Sequence, residues 1–275
     1  IRTFVHFNTA AREFPADSLN SEDMGTLAVA DAVKSYRHKH LDGRVLAQRI
    51  IADQAVAVDA LKASGWGLKI VSVTIGANPA VDLYVRNQRR GAEKTGILFD
   101  EKRLPPDVSE AEVMAAIGAM NVDAIVTGII IQRPVPEHIS IKSLQSAVHP
   151  LKDIEGMHPA SIGNIVYREI ELAPCTAMAA VELLRATGLN LKGLEVVIVG
   201  HSEIVGKPIA FLLMAEGATV TVCHHMTRNL SVHSRQADAV FVAVGKAGLL
   251  TGAMIKPGAV VIDVGINQIV DKNGN

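Results

Sequence analysis

One stretch constrains this chain more than any other: Val196-Val-Ile-Val-Gly200-His-Ser-Glu-Ile-Val-Gly206-Lys-Pro208. Four consecutive β-branched residues read as a buried parallel strand. Gly200 ends that strand in a tight turn, and Gly206 and Pro208 open an amphipathic helix, Ile209-Ala-Phe-Leu-Leu-Met214. A strand, a glycine turn and a helix N-terminus together make an anion site, because unpaired backbone N–H groups and the helix dipole converge there. The spacing is G-x5-G and not G-x-G-x-x-G, so the pattern by itself fits an ordinary βα turn equally well.

The rest of the chain repeats the same alternation. Leu46, Ile50, Ile51, Val56, Val58 and Leu61 recur at near-helical spacing and predict a helix to about Ala63. Strands are expected at 68–75, 97–99 and 124–131, with helices opening at Pro79 and at the capping signal Ser109-Glu-Ala-Glu112 between them. His149–Gly163 reads as a crossover, and a helix follows from Cys175. Strands are then expected at 196–200, 219–223, 239–244 and 259–264, around a helix at 207–216. Residues 1–38 show no strong strand pattern, and a helix is expected at 27–37. The fold class is therefore α/β with parallel sheets. The expected division is an extension at 1–38, a first domain at 39–152, and a crossover with a Rossmann-like domain at 153–275.

Composition narrows the function. A net charge of −1 gives no field for nucleic acid or an anionic membrane, and no apolar run is long enough to span a bilayer. Two cysteines, Cys175 and Cys223, make no disulfide framework and read as buried thiols of a reducing compartment. The chain opens on Ile1 without a Met, which leads us to expect residues upstream; the acidic residues Asp17, Glu22 and Asp23 argue against a transit peptide.

Seven motifs, in order, resemble one family, the bifunctional methylenetetrahydrofolate dehydrogenase/cyclohydrolases. They are Leu41-Asp-Gly43, Gly76-x-Asn-Pro-Ala80 with Tyr84-Val-Arg, Gly128-x3-Gln132-x-Pro-x-Pro-Glu-His138, Lys152-Asp-Ile-Glu-Gly156-x-His158-Pro, Pro174-Cys-Thr176, Gly200-x-Ser202-x2-Val205-Gly-Lys-Pro208 and Asp263-Val-Gly-Ile-Asn267. The resemblance implies a folate-binding domain and an NAD(P)-binding domain with a cleft between them. It also implies tetrahydrofolate as substrate, NADP or NAD as coenzyme, no metal, and a homodimer in the cytoplasm or, as an alternative, in mitochondria. It implies that Tyr84 stacks on the folate, that Gln132 and Pro134 line its site, and that Asp153 and Glu155 hold the pterin. Thr176, Gly200, His201, Ser202, Val205, Gly206, His225, Gly245, Gly265 and Ile266 would shape the coenzyme site. The family's glycine- and proline-rich loop and last helix would follow Asn275.

The departures from the family pattern bear on chemistry. Its catalytic lysine, four residues after the tyrosine, is Gln88 here, on the same helix face as Tyr84. A lysine of lowered pKa manages protons, whereas an amide only donates and accepts hydrogen bonds. Hydride transfer asks mainly for positioning, but water attack on the methenyl product needs proton transfer. The expectation is a dehydrogenase whose cyclohydrolase step is impaired. The alternatives are a fully bifunctional enzyme and an inactive paralogue with a folate-binding or interaction role. Further departures are Glu155 for Asp, Ser161 for Asn, Ala177 for Pro, His201 for Arg and His225 for Ser. The last two replace the groups that meet an adenosine 2′-phosphate.

Arg86, Arg89 and Arg90 read as a solvated helix face. His224 and His225 are neighbours on what reads as an extended segment, where side chains point oppositely and chelate poorly, so no metal is expected.

Overall fold

The computed structural model describes residues 4–7 (backbone only), 40–170 and 172–265. The described residues fall into two compact units, Arg44–Cys175, and Ile1–Gly43 with Thr176–Asn275. The expected helix at 27–37 and the site residue Ile266 lie outside the described residues.

The first described element is strand β1 (Phe4–Phe7), and α1 (Gly43–Ala63) leads into the first unit. There β2 (Lys69–Ile75), α2 (Pro79–Thr95), β3 (Leu98–Leu104), α3 (Glu110–Val122) and β4 (Gly128–Ile131) follow in turn. The strands form a parallel sheet of order β3-β2-β4. Val71, Val73, Ile75, Ile129 and Ile131 form a buried core with Val113 and Ile117 of α3. The Asn78 side chain accepts from the N–H groups of Ala80 and Val81, with Pro79 in the first turn, and so fixes where α2 starts. Ser109 and Glu112 form the expected capping box on α3.

Two strands differ from the sequence reading. The third runs over 128–131 and not 124–131, because the Asp123 carboxylate accepts from Ile125 N at 2.9 Å and turns the chain before it can pair. The second runs to Leu104, well past Phe99. Its Asp100, Glu101, Lys102 and Arg103 lack apolar alternation because β3 is an edge strand, where charged residues are favoured. Arg103 ties it down by pairing with Asp82 at 2.6 Å and Glu101 at 2.7 Å.

Residues 153–175 stay with the first unit, so the division falls after Cys175 and not after 152. Asp153 forms a parallel bridge with Ile129, and the Cys175 thiol donates to Ile154 O at 3.4 Å. Two helices not anticipated from the sequence are α4 (Ile141–Ala147), before this stretch, and α5 (Pro159–Val166), within it. They are about two turns long, too short to show a period.

The second unit contains α6 (Cys175–Arg185), β5 (Glu195–Val199), α7 (Gly206–Ala215), β6 (Thr219–Cys223), α8 (Leu230–Ser234), β7 (Ala239–Val242) and β8 (Val260–Asp263). Its sheet has the order β1-β8-β7-β5-β6, parallel except for β1, which pairs antiparallel with β8. That first strand lies within 1–38, where the sequence offers no strand pattern; four residues are too few to show alternation.

Candidate active site

In the first unit the chain steps from β2 to β3 on one side and then to β4 on the other. Ligands of parallel α/β sheets bind where the strand order reverses, beyond the strands' C-terminal ends. Here that point lies between β2 and β4, and the first residue past β4 is Gln132. Gln132 is buried, and its backbone N–H donates to Val73 O at 2.9 Å, which holds it against the central strand.

The Gln132 amide nitrogen donates to Gln88 Oε1 at 2.7 Å and to Ser72 Oγ at 2.9 Å. Tyr84 stands one helical turn before Gln88 on α2 and is 38% exposed, an open ring beside a half-buried amide. The motifs do not single out Ser72, although a serine in the middle of a strand buried at both flanking valines is a signal of this kind. Two positions on, Thr74 shares its face; its buried hydroxyl has no partner, which is a polar group left for water or a ligand.

The carboxylates divide their work. Asp153 is buried, and its Oδ2 accepts from His158 N at 2.7 Å and Ser161 Oγ at 2.9 Å. Asp153 therefore anchors the start of α5, whose N-cap is His158. Glu155 is different: burial first, and then the charge of Asp153, raise its carboxyl to about 7, against opposing effects of Arg133 and the Ile131 backbone. A carboxyl of this kind exchanges protons near neutrality. Lys152 does not stand in for the missing lysine, since its ammonium donates to Met120 O and Asp123 O at 2.9 and 2.7 Å and so caps α3. Pro134 follows Gln132 on an exposed cis Arg133–Pro134 bond. Arg89, expected on a solvated face, instead donates to Phe99 O at 3.0 Å and lies 4.9 Å over the Phe99 ring, because its stem reaches β3. Cys223 is buried as expected, but Cys175 is exposed as a residue; desolvation of its thiol, with Glu155 and Asp153, pushes it up to about 11, which keeps it protonated and a poor nucleophile.

In the second unit the strand order reverses at β5, whose neighbours are β6 and β7. Gly200 leaves β5 with φ of +113°, a region that side chains rarely adopt. Gly206 opens α7 so close beneath it that a Cβ there would lie 1.9 Å from Gly200 O. Ser202 closes the loop: its hydroxyl accepts from Val205 N at 3.2 Å and its carbonyl from Lys207 N at 3.1 Å. Gly245 and Gly265 follow β7 and β8, and Gly265 packs against the Val244 carbonyl. Thr176 lies in the first turn of α6.

The chain after β6 is not extended. Thr227 N donates to His224 O and His224 N to Thr227 Oγ1, both at 2.9 Å, so the backbone turns. His224 and His225 consequently lie on one side, with ring centroids 5.7 Å apart. His201 joins them from the Gly200 turn, 4.6 Å from His224 and 6.3 Å from His225. The expectation that these neighbours point oppositely is corrected, and His224 is added to the residues at this strand end.

A parallel α/β unit with an amide and carboxylate site at its switch point, followed by a Rossmann-like unit with a glycine turn, defines a two-unit α/β protein of dinucleotide-binding type. The chain belongs to the tetrahydrofolate dehydrogenase/cyclohydrolase family: residues 41–155 match that family's catalytic domain and 174–275 its NAD(P)-binding domain. It is 63% identical over 238 residues to bifunctional protein FolD 2 of Mesorhizobium japonicum, covering 86% of this chain and 77% of the relative. It is 57% identical to bifunctional protein FolD of Rhodobacter capsulatus, covering 86% and 79%. Among solved structures, the bifunctional FolD of Campylobacter jejuni superposes with a TM-score of 0.81 at 36% identity, covering 85% and 83% of the two chains. The NADP-complexed Trypanosoma brucei enzyme superposes with a TM-score of 0.79 at 33% identity, covering 84% and 80%.

Proposed function

We propose that this chain is an NAD(P)-dependent 5,10-methylenetetrahydrofolate dehydrogenase whose cyclohydrolase step is impaired. The observation that carries the second part is the Ser72–Gln132–Gln88 chain of hydrogen bonds, which ends in an amide where the family places a proton-carrying lysine.

The bound nicotinamide supplies the hydride acceptor. The chain's own residues then have to hold the folate's methylene carbon before it, which asks for no ionisable group. Tyr84 offers an open ring for stacking, Gln132 and Gln88 offer amides around the reacting carbon, and Pro134 and Glu155 bound the pterin end. Asp153 positions the His158–Pro159 turn and acts through it. The tight Gly200–Gly206 turn and the start of α7 fit a pyrophosphate, with Ser202, Val205, Thr176, Gly245 and Gly265 around it. Loss of hydride from the methylene carbon leaves the methenyl cation. Its hydrolysis adds water to that carbon, and a base must take the water's proton as a ring nitrogen departs. Gln88 and Gln132 can orient that water but cannot accept its proton.

One observation favours a second reading, the fully bifunctional enzyme: Glu155, with a carboxyl near 7, is a group able to take that proton. We place the protein as a homodimer in the cytoplasm, which light scattering and fractionation would check.

The deciding assay supplies methylenetetrahydrofolate with NAD or NADP and follows reduced nicotinamide and methenyl absorbance together. The main reading predicts that both rise and that methenyl accumulates. Reduced nicotinamide without accumulated methenyl would favour the second reading, and no signal with either coenzyme would make the chain an inactive paralogue.

A further inference from the structure

We propose that His201, His224 and His225 form a binding site for a divalent transition-metal ion of the zinc, cobalt or nickel class. Each residue offers a ring nitrogen, and these atoms all lie within 4.8 Å of one another. It is the one group of metal-ligating type found among the described residues. Imidazole is a borderline ligand that selects zinc, nickel, cobalt and copper over magnesium and calcium. Three protein ligands at ~2.0–2.1 Å, with a fourth position left open, is the arrangement of an exchangeable site.

The backbone already brings the rings together. Gly200, at φ +113°, throws His201 across the end of the sheet, and the His224–Thr227 turn holds the other two on the same side. The rings are solvent-accessible, so small side-chain rotations suffice to bring the nitrogens to coordination distance. One bond must yield: His224 Nδ1 accepts from Met226 N at 3.1 Å. Coordination through Nε2 places the ring proton on Nδ1 and hands the exposed Met226 N–H to solvent. The net worth of such a hydrogen bond is small, so it does not block the site.

The position gives the ion a consequence, which rests on the dinucleotide reading above. The strand following the first βα unit of a Rossmann sheet ends beside the adenosine ribose, where an arginine ordinarily receives a 2′-phosphate. Here that strand is β6, and imidazoles stand at its end. An ion there makes its open position available to a 2′-phosphate oxygen, so it favours NADP over NAD.

The test uses the full chain, tag-free and stripped with chelator, titrated with Co2+ and followed by its visible absorption and by calorimetry. The site predicts one ion per chain with the absorption of tetrahedral nitrogen-ligated cobalt. His201→Ala and His225→Ala should each weaken binding at least tenfold, while His233→Ala, an exposed histidine elsewhere in the unit, leaves it unchanged. Absence of binding, or binding that survives both substitutions, overturns the site. Coenzyme titrations with and without Zn2+ test the consequence, with NADP expected to bind at least tenfold tighter when zinc is present. Zinc that binds without changing NADP affinity overturns that link alone. Failure of either coenzyme to bind under any condition overturns the dinucleotide reading and leaves the metal result standing.

Discussion

The Gln132 side-chain amide donates to the Gln88 carbonyl oxygen across 2.7 Å, and the same nitrogen reaches Ser72 Oγ at 2.9 Å. Both hydrogens of that nitrogen are spent inside the protein. Gln88 is left presenting its own amide nitrogen as a donor, and the pair holds its geometry without carrying a titratable proton.

Gln88→Lys tests this directly. A lysine cannot accept from Gln132, so the Gln132 amide turns over and offers its oxygen to the new ammonium. We expect methenyl hydrolysis to rise by about 10²-fold, with the dehydrogenase kcat/KM changing far less. The decay of methenyl absorbance in single-turnover mixing measures both. An unchanged hydrolysis rate would show that Gln88 is not what limits that step.

Glu155 makes stability pH-dependent. Its carboxyl is raised from 4.5 to about 7, so the folded state holds a proton that the unfolded chain has released. The contribution is complete below about pH 4.5 and is lost as the pH rises through 7. Glu155→Gln removes the charge that burial disfavours. The variant should be more stable than the parent at pH 8, by an amount on the order of 3 kcal/mol, and should lose the decline between pH 5 and 7. Urea midpoints across that range decide it; parallel pH curves for the two proteins would refute it.

Much of the fold and part of the site are legible in the amino-acid sequence, and the limits have physical causes. The strands at 196–199 and 239–242 are readable because burial on both faces writes an unbroken apolar run. The edge strand β3 hides behind Asp100–Arg103, since an edge needs charge more than alternation. Gln88, Gln132 and Glu155 can be named from the resemblance to the family's motifs. Their partner Ser72, sixty positions from Gln132, cannot, because register between strands is a tertiary fact. The three histidines mislead for the same kind of reason. A two-residue pair says nothing about a turn closed by Thr227 or a third ring arriving from Gly200.

Asp153→Ala should cost about 1–3 kcal/mol, because His158 N and Ser161 Oγ lose their shared acceptor in a buried place. Catalysis should fall through KM more than kcat if the residue only positions the His158–Pro159 turn. Thermal melts and steady-state kinetics on the same preparation separate the two effects.

Gly206→Ala forces a methyl group to within 1.9 Å of Gly200 O, which is backbone and cannot swing aside. We expect destabilisation on the order of 3 kcal/mol and at least a tenfold loss of coenzyme affinity. Folate binding, read by calorimetry, should persist, because the site of the first unit contains neither glycine.

The pairing of β1 with β8 has a consequence for the order of assembly during synthesis. Phe7 finds its partner only in Val260, which is made long after it. At ~5–20 residues per second, the intervening stretch takes the ribosome on the order of tens of seconds. Residues 44–175 are complete well before then. One unit is thus free to mature on the ribosome, while β1 must wait for β8.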